Sequence, residues 1–376
     1  MDKDGITEYQ GIALISMYIW GAIFITSAGA GRDAWLIVII AAVASIPLLL
    51  TYGRIMRNFQ GKDLYDIIEI VFGRVIGKIV IVVYTMFFLH LGSIIMRNFM
   101  EFSRVATLTN TPNVITGIVF GILSSYMVKA GVESFGRWAG IFFIGVTFVS
   151  IALGIFAIVQ STNKVGVLPI FYNGYKPVIV STYSFIAFPI AEVMVFMTIF
   201  NSIKGEDYKY NIFVKGVLFA LAVALIDIVG VNLLLLREEN QDMFFPTFLA
   251  VRRMRIGDAV QRIETFISAE LAILSFVEFC ACVFATCKGV ARIFNFEEYK
   301  YTTVSISILM VSIALILYES TLEMVEWNSE IWPHYSFPFQ ILMPITILIA
   351  GELKIRKGKL KNIDNKKERE QESLNK

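Results

Sequence analysis

Four acidic residues lie well inside long apolar runs of this chain, away from the run ends: Glu192, Asp227, Glu270 and Glu278. An ionisable side chain at the centre of a membrane-spanning helix costs about 2.5 to 3.5 kcal/mol on insertion scales, so such residues face a bundle interior or a wet cavity. Glu192 carries the most information, because it stands one turn beyond Pro189. Proline lacks an amide hydrogen and its ring displaces the carbonyl four residues earlier, here on Phe185, so a helix break is expected between Ser184 and Pro189. The half-helix that begins there presents free N–H groups and a positive dipole end suited to a carboxylate, while loosened carbonyls suit an ammonium group or a cation. A zwitterion such as an amino acid fits both, whereas a packing kink needs no ligand. Glu192 is thus a candidate for touching ligand or carrying a proton, with an internal structural hydrogen bond as the alternative.

A second expected break is Trp20-Gly21-Ala22-Ile23, near the middle of the first apolar run. Arg97 and Glu101 are four residues apart, close enough to pair along one helix face. Arg262 and Glu264 are two apart and on different faces, so each needs its own partner. Other apparent motifs carry no chemistry. Gly73 to Lys78 is one residue short of a phosphate-binding loop and is followed by Ile79 rather than Ser or Thr. His90 and His334, the only histidines, lie on distant segments. Cys280, Cys282 and Cys287 share one apolar run, but Cys282 points away from the other two at helical spacing, which favours buried free thiols over a metal site. Neither a metal nor a cofactor is expected, and the residues support no enzyme. Gly117 with Gly121, and Gly136 with Gly140, have the spacing that lets helices approach closely.

The elements that must position these residues are transmembrane helices. Of 376 residues 56% are hydrophobic and 17% charged, with a mean hydropathy of +0.68, more apolar surface than a water-soluble fold can hide. A net charge of +2, without a basic patch interleaved with aromatics, gives no indication of nucleic-acid binding. A bilayer core takes roughly 20 helical residues. Ten runs of that order are expected at 9 to 30, 33 to 53, 75 to 104, 113 to 129, 135 to 160, 178 to 200, 210 to 236, 262 to 287, 302 to 320 and 335 to 353. An even count puts both ends on one side. Making that side cytoplasmic places about 23 of the 33 Lys and Arg inside, as the positive-inside rule requires. The N-terminus lacks a basic signal-peptide region, so the first span is expected to be retained.

Split into five plus five, the chain enters the membrane from opposite sides in its two halves, an inverted repeat that aligns the breaks of spans one and six. Residues 64 to 72 have amphipathic spacing and are expected on the inner surface, with an outer counterpart from Phe248 to Val260; re-entrant loops packed on the bundle are the alternative for both. Trp327, Trp332 and Tyr335 are expected as interfacial anchors. Residues 1 to 353 form the membrane domain, and 354 to 376 a basic, disordered cytoplasmic tail.

Several strings in order resemble the B subunits of spore germination receptors, the endospore germination permease family of the amino acid-polyamine-organocation transporter superfamily. They are Gly31-Arg32-Asp33-Ala34-Trp35, Arg97 to Glu101 followed by Thr111-Pro112, Gly131-Val132-Glu133 with Arg137, Leu168-Pro169, Glu192 to Phe196, and Arg262-Ile263-Glu264-Thr265-Phe266. The resemblance implies an all-α, LeuT-like five-plus-five fold with broken helices 1 and 6 and a pocket between them, lined also by spans three, eight and ten. It implies binding of a small nutrient (an amino acid, sugar or nucleoside), with an A subunit and a lipoprotein C subunit as partners in the spore inner membrane. Carried over by position, Gly21, Ala22, Phe185, Ile186 and Ala187 border the ligand, with Ile23 and Glu192 beside them. Ile23 departs from the family's Gly-x-Gly, where a second glycine lets ligand approach bare backbone, and so implies a pocket that is smaller, more apolar or unable to take a carboxylate in the usual way.

Overall fold

The computed structural model describes residues 5–25, 31–161, 170–171, 174–203, 210–234, 245–254 and 264–358. Helix α1 is Glu8–Ile25, followed by α2 (Ala34–Asn58), a short α3 (Leu64–Phe72), α4 (Arg74–Ala106), α5 (Asn113–Ala130) and α6 (Val132–Gln160). The second half opens with α7 (Tyr175–Phe185), a wide turn at Ile186–Ile190 and a tighter half-helix at Ala191–Thr198. It continues with α8 (Ile212–Leu234), a short α9 (Pro246–Arg253), α10 (Glu264–Phe294) and α11 (Thr303–Ile316). The last span, Thr321–Arg356, strings together α12 (Thr321–Glu326), α13 (Trp332–Phe337) and α14 (Met343–Arg356) through wide turns at Trp327–Ile331 and Pro338–Leu342.

Nine of the described helical stretches are long and apolar enough to cross a bilayer, and α1 packs among them against α8, α6 and α10. Two expected boundaries were too short. The eighth span reaches Phe294, and the last begins at Thr321 rather than 335, because the helices run on through polar residues that read as ends in sequence.

The short helices occupy matching places, α3 between the second and third spans of the first half and α9 between those of the second. Helix α3 lies packed on the bundle, with Leu64, Tyr65, Ile67, Ile68 and Val71 buried. Asp63 caps it by accepting a 3.0 Å bond from the Asp66 N–H. Arg292 clamps its polar face through Asp66 (2.9 Å) and Glu69 (2.6 Å), and Lys354 donates to the Ile70 carbonyl at 3.0 Å. The expected outer helix is α9; residues 255–263, including Arg262, lie outside the described residues.

Close packing uses the small residues. A side chain on Gly117 would meet Met100 at 2.1 Å, and one on Gly136 would meet Ile6 at 2.5 Å. All three cysteines are buried and free, and they turn to different neighbours: Cys280 to Ser124, Cys282 to Tyr18 and Cys287 to Thr302. Trp332 corrects an expectation. It is buried, 1% exposed, and stacks on Phe87 at 5.7 Å, because α13 turns its aromatic face into the bundle rather than to the membrane surface.

Candidate functional site

The break in the sixth span is where proline chemistry puts it. Phe188 has an extended backbone (φ −143°, ψ 112°) inside the Ile186–Ile190 turn, so the run cannot continue as one α-helix into Ala191–Thr198. Glu192 sits in the first turn of the second half-helix, at its positive dipole end.

The break expected at Trp20 to Ile23 in the first span does not appear among the described residues. Helix α1 continues through Gly21, Ala22 and Ile23 to Ile25. A lone glycine costs a helix only about 1 kcal/mol against alanine, which neighbouring packing readily offsets. Gly21 provides close approach instead. A Cβ there would lie 2.8 Å from the carboxyl carbon of Glu278 and 2.9 and 3.0 Å from its oxygens, and the Ala22 backbone hydrogen-bonds the same carboxylate. The carboxyl of Glu278 on α10 therefore lies flat against bare backbone of α1.

Helix α1 also packs on the Ile186–Ile190 turn and on the half-helix that follows it. The Tyr18 hydroxyl donates to Glu192 Oε2 at 3.2 Å, and its ring meets Phe196 edge-on at 5.6 Å. Glu192 thus makes the internal hydrogen bond that its sequence context left open, and its other oxygen, Oε1, is buried with no partner among the described residues. Trp332 faces this carboxylate as a donor, its Nε1 near the acid without closing a well-formed hydrogen bond. Tyr52 ties the surroundings together, its hydroxyl 2.6 Å from the Gln340 carbonyl and 3.2 Å from that of Ala191. Glu192 and Glu278 are each 1% exposed.

The remaining predicted residues lie elsewhere. Arg97 and Glu101 pair at 3.3 Å, and Arg104 joins Glu101 at 2.6 Å. Arg97 also donates to the carbonyls of Ala314, Leu315 and Tyr318 at 3.2, 3.2 and 2.9 Å, locking α4 to the end of α11. Glu270 accepts from Ser150, and Asp227 lines a small void with Ser150 and Gly154, away from the helix break. Sequence reasoning named Glu278 only as a buried charge. The signal for its role was the pairing of a small residue on one span with an acid on another, which one-dimensional spacing does not encode.

The profile of the family described as "Spore germination protein" matches residues 5–322. Spore germination protein KB of Bacillus subtilis (strain 168) is 25% identical over 383 residues, covering 98% of this chain and all of the relative. Spore germination protein A2 of the same organism is 22% identical, covering 77% of this chain and 81% of the relative. Among solved structures, Mhp1, a nucleobase-cation-symport-1 family transporter in a closed conformation with bromovinylhydantoin bound, superposes with a TM-score of 0.63 at 14% identity, covering 89% of this chain and 79% of that one. MhsT in complex with L-phenylalanine gives 0.62 at 13% identity, covering 91% and 97%. The fold is that of the LeuT-like transporters, two five-span halves in inverted repeat. With the profile match running over most of its length, the chain belongs to the spore germination protein family, on a permease fold.

Proposed function

We propose that this chain is the membrane subunit of a nutrient germinant receptor. It binds a small nutrient between α1, the Phe188 break and the last span, and passes the resulting bias to an A subunit and a lipoprotein C subunit. One observation carries the reading: a broken helix places a half-satisfied buried carboxylate, Glu192, opposite Tyr18 and Trp332 in the middle of a transporter-like bundle. The expected setting is the spore inner membrane, with both termini on the core side as the distribution of Lys and Arg favours.

The alternative is a proton-coupled secondary transporter of an amino acid or similar solute, favoured by the fold and by an acid at the helix break. Flux separates the two. Protein reconstituted in liposomes should be stabilised by ligand without net uptake if it is a sensor, and saturable uptake driven by a proton gradient defeats that reading in favour of the transporter.

A further inference from the structure

Two places at this site could hold a ligand's carboxylate, and the protein's own acids occupy both. Glu278 lies against Gly21 and takes the Ala22 backbone bond, and Glu192 sits in the first turn of the half-helix after the break. Neither acid appears in any ion pair among the described residues. The pocket is thus rich in acceptors and supplies no described cation to balance them.

Polar atoms without a described partner gather on the two elements that face each other here. On the broken helix they are Thr182 Oγ1 and Glu192 Oε1; on the last span they are Trp332 Nε1, Ser336 Oγ and both amide atoms of Gln340. Trp332, Ser336 and Gln340 are each four residues apart, so they lie on one helix face, and all three are buried. Helix α13 packs on the Ile186–Ile190 turn, and the Pro338–Leu342 turn packs on the Ala191–Thr198 half-helix. Buried polar groups in folded proteins are nearly always partnered by protein or by ordered water, so polar atoms left open on facing elements can accept a polar molecule between them. Five buried side chains across this one helix interface thus carry polar atoms whose hydrogen bonds are incomplete among the described residues.

We propose that this pocket recognises its solute through a protonated amine and does not require the solute to bring a carboxylate. Glu192 Oε1 takes the ammonium group, while Ser336 and Gln340 bind hydrogen-bonding groups on the rest of the molecule. An ionised carboxylate is an acceptor only, so an N–H cation satisfies it where a second anion is repelled. The proposal rests on the pocket placed under the proposed function, and it names the class of ligand that pocket selects.

The test uses the full chain in lipid nanodiscs, read by melting temperature and by tryptophan fluorescence, against two matched sets of probes. The first is alaninamide, alanine, propionamide and propionate; the second is glucosamine with glucose. The amine-bearing members of at least one set should bind about tenfold or more tighter than their amine-free counterparts, with no response to propionate. Glu192→Gln, which keeps the shape, should remove that advantage, and Glu278→Gln should admit propionate. Equal binding of amine and amine-free partners in both sets, or an amine preference that survives Glu192→Gln, overturns the proposal. Gly21→Trp separates the two readings: if it abolishes saturable binding that shows no amine preference, the pocket stands and the amine class falls. Binding untouched by Gly21→Trp removes the pocket itself, and no binding by any probe overturns both.

Discussion

Lys288 on α10 donates a 2.5 Å hydrogen bond to the carbonyl of Thr198, the last residue of the half-helix that follows the break. The same ammonium lies 3.7 Å from Asp63, the cap of α3. One side chain therefore joins three elements, with a cation at a helix C-terminus where the dipole favours it. Lys288→Met removes the stronger of the two cations that act on Asp63, leaving Arg292, and should destabilise the protein by up to about 3 kcal/mol, the scale for breaking a buried pair. Adding Asp63→Asn should recover part of that loss. Thermal denaturation of the single and double variants measures the coupling, and strict additivity would disprove it.

Asp63 also sets a pH dependence. Burial raises its carboxyl above the ordinary aspartate range, against the opposing pull of Lys288. Folding therefore favours the protonated acid, so ionised Asp63 opposes stability at neutral pH and that opposition fades as pH falls through the raised value. Asp63→Asn keeps a good cap and should remove this part of the slope. Melting temperatures measured from neutral to mildly acidic pH, on both proteins, check the sign.

The proposed receptor role predicts that Gly21→Trp and Ala187→Trp at the helix break each abolish a nutrient response of spores while the protein level in their membranes holds. Gly21 is the more sensitive position, since even a methyl there meets the Glu278 carboxyl at 2.8 Å. Germination dose responses, with immunoblots of spore membranes, decide this. Unchanged curves in both variants would move the site elsewhere.

The break after Phe185 was legible in the sequence because proline acts locally, through its own missing hydrogen and ring. The same reasoning overreached at Gly21, where glycine permits a break without imposing one and the tertiary contact with Glu278 decides. The Arg97–Glu101 pair followed from spacing alone, but the three carbonyls that Arg97 holds, two at the end of α11 and one just past it, are more than 200 residues away and leave no local trace. Trp332 was misplaced for a related reason. An aromatic residue near the end of an apolar run suits an interface equally well as a core, and only the packing of α13 on Phe87 distinguishes them.

Arg97 gives a test in which charge is kept and geometry changed. Its guanidinium divides one nitrogen between Ala314 and Leu315 and sends another to Tyr318. A lysine in its place is a point charge on a flexible stem and cannot reproduce that fork. Arg97→Lys should cost about 1 to 3 kcal/mol through carbonyls left unpaired, and Arg97→Met more, because Glu101 then loses a partner as well. Equal melting temperatures for Arg97→Lys and the parent would exclude this account.

Two glycines with opposite surroundings test how closely the bundle is packed. At Gly53 on α2, a Cβ would fall 2.0 Å from the backbone carbonyl of Tyr210, just before α8, and a backbone atom cannot swing aside as a side chain tip can. At Gly145 on α6, nothing lies within 4 Å of the same added carbon. Gly53→Ala must therefore push α2 and α8 apart, at a cost of about 1 to 3 kcal/mol typical of overpacking. Gly145→Ala meets open space and gains helix propensity, so it should be neutral or stabilising by up to about 1 kcal/mol. Because the two substitutions are chemically identical, opposite shifts in melting temperature report the α2–α8 contact alone, and a matching loss at both positions would show that backbone flexibility rather than close approach explains the glycine at 53.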